Sequence, residues 1–252
     1  MTSQNKTMER VFFSLLLFLV IGLTAGGMAQ DLTADELIAK NIDACGGQAA
    51  WDQIQSMKIT GTYTNFSDPE KFTILRQRPD LYRFDCKRLH QLTVHAYDGK
   101  QAWWINPMMG PEFTTPGYIP TGQNLEKVTL RERFIEPVFW NYKAKGHQVE
   151  LIGKEDLDGD EVYHLKITLK DGSEENWFFS TETFLAVSMT GITYDFGAPS
   201  PVETFFSKYK KVGNVVMPYL IESEYSIRYR VYDVDTIELN PQIDVAEFKL
   251  PK

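Results

Sequence analysis

The sequence predicts a mainly β protein: one large antiparallel sheet of about eleven strands curled into a barrel or half-barrel, with two helical segments. Three observations predict it. Short segments alternate apolar and polar residues with period two along most of the chain. Turn residues such as Pro69, Pro79 and Asp98-Gly99 punctuate those segments at regular spacing. Apolar residues at helical spacing occur in two places only, near the start and after Asn124.

The first 29 residues are read as a cleaved signal peptide and set aside from the fold. Lys6 and Arg10 form a basic start, Val11 to Thr24 is an almost unbroken apolar run, and Gly27-Met28-Ala29 supplies the small residues of a cleavage site. The run is shorter than the ~20 residues that cross a bilayer. The expected product is an exported protein spanning 30–252 as one domain.

Leu32 to Ala50 reads as the first helix. Thr33 and Glu36 have capping-box spacing, Leu37, Ile38, Ile42 and Cys45 share a face, and Gly46-Gly47 offers a stop. From Met57 the period becomes two. Met57–Tyr63, Phe72–Gln77, Leu81–Cys86, Gln91–Tyr97 and Gln101–Ile105 follow as a meander of strands. Met108 to Gly122 is a long loop. A second helical stretch from Asn124 puts Leu125, Val128, Ile135, Phe139 and Tyr142 on one face, with Pro137 breaking or kinking it. Loop and helix together read equally as a lid over a cavity or as a fixed plug. Strands then resume from His147 to Leu239.

Composition and motifs exclude several functions. A formal net charge of −8 disfavours nucleic acid and permanent docking on anionic lipid. The four histidines (His90, His95, His147, His164) lack zinc-ligand spacing. No nucleophile elbow or phosphate-cradling glycine loop is present. Asp156, Asp158 and Asp160 faintly resemble a calcium loop, but Ile167 stands where its last carboxylate belongs, so a hairpin turn is expected. No catalytic residue, cofactor or metal is predicted. Cys45 and Cys86 could pair after export or remain as buried thiols.

The informative stretch is Arg76 to Pro107. Trp103 and Trp104 are adjacent on a strand and must point to opposite faces, so cavity lining and ordinary packing are equal readings. Arg78 stands among apolar strands. On spacing alone it is a solvated edge arginine; its functional reading is a latch whose fork of donors reaches a lid's carbonyls.

Two motifs resemble those of the LolA-type outer-membrane lipoprotein-sorting carriers. Arg78-Pro79-Asp80-Leu81-Tyr82-Arg83-Phe84 is similar to the family's R-P-x-x-[FY]-x-[WF]. Asp98-Gly99-Lys100-Gln101-Ala102-Trp103-Trp104-Ile105-Asn106-Pro107 is similar to its D-G-K-x-x-W-x-x-N-P. The resemblance extends through Tyr163-His164-Leu165-Lys166 to Leu239-Asn240-Pro241 and Phe248, nearly the whole chain after the leader.

The resemblance implies an unclosed antiparallel half-barrel with helices covering its open side over an apolar cavity. It moves Arg78 to the functional reading, as the residue that bonds the lid, and makes Phe84 a pocket residue. The candidate ligand-binding set is Arg78, Ile74, Tyr82, Phe84, Trp103 and Trp104, and the candidate lid residues are Leu125, Val128, Ile135 and Phe139. The implied protein is a monomeric periplasmic carrier, not an enzyme. It would bind acyl chains of lipoproteins or lipid, receive them from an inner-membrane transporter and deliver them to an outer-membrane acceptor. The alternative is a sensor that binds lipid or lipoprotein and signals through a protein partner; a hydrolase is least supported.

Overall fold

The computed structural model describes residues 32–251 apart from 66–67, 89–90, 108–109, 196–197 and 226–227. The predicted leader, His90 and Met108 therefore lie outside the described residues.

Helix α1 (Ala34–Ala44) begins where the sequence says it should. Thr33 Oγ1 accepts from the Glu36 amide, and the Glu36 carboxylate accepts from the Thr33 amide, a complete capping box. The predicted helix over 32–50 is in fact two. The chain breaks at Gly46-Gly47 and resumes as the short α2 (Gln48–Asp52). Gly46 has φ +108°, and a Cβ there would stand 2.2 Å from the Asn214 carbonyl oxygen, so only glycine lets the two backbones meet.

The strands form one thirteen-stranded antiparallel sheet that does not close, rather than about eleven strands. In chain order they are β1 (Ser56–Asn65), β2 (Glu70–Gln77), β3 (Leu81–Arg88), β4 (Gln91–Tyr97), β5 (Ala102–Ile105), β6 (Gly117–Tyr118), β7 (Gln148–Leu157), β8 (Asp160–Thr168), β9 (Glu174–Ser180), β10 (Ala186–Asp195), β11 (Ala198–Ser207), β14 (Leu220–Tyr225) and β15 (Arg228–Leu239). β1 and β15 pair at the centre, while β6 and β7 are the free edges. A separate ribbon, β12 (Lys210–Val212) with β13 (Val215–Met217), interrupts the predicted strands 202–210 and 216–224. Lys208 at φ 51° turns the chain out of β11, and Pro218, which has no amide donor, divides β13 from β14. The extra count comes from such short pieces, which carry too little alternation to be read. Asp156 to Asp160 forms the β7–β8 hairpin turn, as expected, with Asp158 and Gly159 at positive φ.

Alternation assigns each strand residue to a face. Met57, Ile59 and Tyr63 of β1, Phe72 and Ile74 of β2, and Tyr82, Phe84 and Cys86 of β3 face the inside of the curl and are buried. Leu37, Ile38 and Trp51 from the first helices complete one apolar cluster with them. Its polar groups are bonded: Trp51 Nε1 donates to the Cys45 carbonyl at 2.9 Å, and Trp140 Nε1 to Asn41 Oδ1 at 2.9 Å. Both cysteines are buried and outside any disulfide, and burial pushes the Cys45 thiol up to about 12.

The second helical stretch is also corrected. Helix α3 (Asn124–Arg131) ends before Ile135 and Phe139, and a single turn α4 (Tyr142–Lys145) follows Pro137. Arg76 of β2 explains the early stop. Its Nε donates to the Glu132 carbonyl at 2.8 Å, capping the helix with a cation at the negative end of its dipole.

Candidate functional site: the inner sheet face and its cover

The cover is the segment 124–145. Helix α3 touches β4 and β5 on one arm of the open sheet and β10 on the other, so it bridges the mouth of the curl. Its residues turned furthest from solvent are Glu126 and Thr129; the candidate lid residues Leu125 and Val128 are only partly buried. Ile135 and Phe139, which follow the helix, are buried in the main cluster, together with Trp140. Phe139 stands edge-on to Trp177 and Phe179 of β9, at 5.0 and 5.2 Å between ring centres. Trp140 meets Trp51 edge-on at 5.0 Å. The cover's own aromatic groups thus fill the apolar space beneath it.

Arginines fasten this cover. Arg78, in the turn after β2, donates from Nε to the Ile54 carbonyl at 2.6 Å and from Nη2 to the Trp51 carbonyl at 3.2 Å. The same Nη2 donates to the Glu136 carboxylate, which is 9% exposed. One guanidinium therefore joins the end of α2 to the segment after α3. Arg76 Nη2 reaches the Glu132 carboxylate at 2.9 Å, and Arg133 lies 3.7 Å from the Asp80 carboxylate. On the far arm Arg131 donates to the Ile192 carbonyl at 2.8 Å and to Ser173 Oγ at 3.1 Å. Lys145 Nζ donates to the Pro137 carbonyl at 2.9 Å; burial lowers its ammonium to about 8, with Arg133 and Arg78 adding to the effect and Glu136 opposing it. Beneath the cover burial raises the Glu175 carboxyl, against the pull of Trp177 Nε1 and Arg131.

Of the candidate ligand-binding residues, Ile74, Tyr82, Phe84 and Trp104 share the inner face; the first three are buried side by side, while Trp104 is half-buried near His95 and Phe113. Trp103 does not join them. It faces outwards with Val94 and Ala96, under the C-terminal turn Val245–Phe248, and its Nε1 donates to the Phe248 carbonyl at 2.7 Å. The sequence reading missed Arg76, Arg131, Glu132 and Glu136. Arg76 and Arg78 are two residues apart next to a strand end, a spacing that signals a shared face; the acidic partners carry no such signal. Among the described residues no group of three or more His, Cys, Asp and Glu side chains is placed to hold a metal ion.

This architecture, an open antiparallel curl with a helical cover, is a LolA-like fold. The chain aligns over 86% of its length with 98% of a LolA superfamily protein from Nitrosomonas europaea, at 11% identity and a TM-score of 0.57. It aligns over 85% of its length with 96% of a DUF1329 family protein from Desulfovibrio piger, at 14% identity and a TM-score of 0.58. A domain named as a candidate outer membrane lipoprotein-sorting protein from Vibrio parahaemolyticus aligns over 84% of this chain and 94% of its own, at 11% identity and a TM-score of 0.56. No family model matches the chain, and no curated protein matches it.

Proposed function

We propose that this protein is an exported, non-enzymatic carrier that holds acyl chains of lipoproteins or lipid between the inner sheet face and the helical cover, and passes them towards the outer membrane. The observation that carries this reading is the Arg78 junction. A charged fork joins the end of α2 to the segment after α3, using carbonyls and one carboxylate that can be released together, beside the buried wall of Ile74, Tyr82 and Phe84.

The energetics suit reversible loading. Burying an acyl chain gains about 0.8 kcal/mol per CH₂, which alone would hold lipid too firmly to hand on. Ile135, Phe139 and Trp140 are buried in the same cluster when no chain is present, so loading exchanges one apolar filling for another. The polar latch then biases the balance between the closed and loaded forms. The LolA-like fold of the aligned structures supports the same reading.

Mass spectrometry of what co-purifies with the exported protein tests it. Acylated protein or lipid is the expected finding. Protein that carries no acyl species, and takes up none from a triacylated lipopeptide, overturns the reading.

A further inference from the structure

Arg230 of β15 faces the inner side of the curl, directly across from Asn65 of β1. Its Nη2 donates to the Tyr225 hydroxyl at 2.9 Å, and its guanidinium lies 4.7 Å from the centre of the Tyr225 ring. The side chains that surround it are the phenols of Tyr225, Tyr63 and Tyr232. Among the described residues no carboxylate pairs with it. Its Nε is shut off from solvent with no hydrogen-bond partner, and so is the Oδ1 of Asn65.

The arginines around the cover have carboxylates beside them: Arg76 has Glu132, Arg78 has Glu136, Arg131 has Glu175 and Arg133 has Asp80. Arg230 differs. Leaving a donor of a permanent cation buried and unmade costs free energy, and the ring contact with Tyr225 satisfies only the Nη side of the fork. An unfilled guanidinium edge of this kind is matched best by an anionic acceptor. The next inner-facing residue on β15 is Tyr232, whose ring lies 4.8 Å from Tyr63, 5.3 Å from Phe72 and 6.2 Å from Phe84. The charge therefore stands one pleat from a wall of aromatic rings.

We infer that Arg230 receives the anionic head of a single-chain amphiphile, a long-chain carboxylate, whose chain lies along the Tyr63, Phe72, Phe84 and Tyr232 wall. A carboxylate presents two coplanar oxygens to the Nε and Nη edge of a guanidinium, and its one charge matches the one cation. This rests on the acyl-binding reading above and adds the head-group chemistry to it.

Equilibrium dialysis of the exported protein with labelled palmitate and labelled hexadecanol tests the assignment. Palmitate is expected to bind about tenfold tighter or more, the margin of a charge-assisted bond over a neutral one. Arg230→Gln should bring palmitate to the level of hexadecanol, and Arg230→Lys should restore part of the difference. Equal binding of the two ligands by the natural protein overturns the inference and leaves the acyl-binding reading standing, a comparison that needs no variant to fold. Undiminished preference for palmitate in Arg230→Gln also overturns it. Binding of neither ligand overturns both.

Discussion

Arg78 and Glu136 are 58 positions apart in the chain, yet the guanidinium of one donates to the carboxylate of the other while also holding the carbonyls of Ile54 and Trp51. Replacing Arg78 with Leu removes these bonds together and leaves Glu136, 9% exposed, without its cation. The expected loss is about 2–4 kcal/mol, because a nearly buried charge is stranded. Denaturant unfolding should show it. Hydrogen exchange should show faster opening at 132–145, and lipid hand-off to an acceptor should change; unchanged exchange and unchanged hand-off would remove Arg78 from the latch.

The two tryptophans separate structure from ligand contact. Trp103 is fully buried on the outer face, so Trp103→Ala should cost about 3–5 kcal/mol of stability. Trp103→Phe, which loses the bond to the Phe248 carbonyl, should cost about 1–3 kcal/mol. Trp103 does not face the cover. Trp104→Ala, half-buried on the inner face, should cost less stability and weaken acyl-chain uptake more, as read by thermal melting alongside lipopeptide binding.

Lys145 gives the cover a pH dependence with a definite sign. Its folded value of about 8 lies below the ~10.4 of an unfolded lysine, so between those values the unfolded chain binds more protons. Stability contributed through Lys145 therefore rises as pH climbs from about 8 towards 10, and below 8 the penalty is constant. The comparison of the natural protein with Lys145→Met by chemical denaturation at pH 7.5, 8.5 and 9.5 isolates it. The variant should be the more stable at pH 7.5, and the gap should narrow with rising pH. A gap that widens refutes the assignment.

Gly46 is expected to be intolerant of any side chain. Its φ of +108° disfavours L-residues, and the added Cβ would lie 2.2 Å from the Asn214 carbonyl oxygen and 2.9 Å from the Val215 Cα. The backbone of Asn214 and Val215 cannot yield cheaply, so Gly46→Ala should lose about 3 kcal/mol or more in a denaturant titration. Gly47→Ala, whose Cβ would meet nothing within 4 Å, is the matched control and should lose only about 1 kcal/mol from its positive φ.

Local chemistry alone determined much of this protein. Alternation in 57–63 and 72–86 set which residues turn inward, because a strand's side chains alternate whatever lies above them. The capping box of Thr33 and Glu36 set the start of α1, and Gly46-Gly47 its end, through bonds within a few residues. The motif around Arg78 singled out a side chain that bonds Ile54, Trp51 and Glu136. What only the tertiary structure decided are relationships between distant segments. Trp103 is a core residue on the outer face because the C-terminal turn happens to cover it. Helix α3 stops early because Arg76, more than fifty positions away, takes its terminal carbonyl. Glu136 is Arg78's partner, and Arg230 has no carboxylate beside it among the described residues, because sheet curvature and the path of the cover place those charges together or apart. Charge pairing across a fold depends on distances of a few ångströms, which residue order along the chain does not encode in any local pattern.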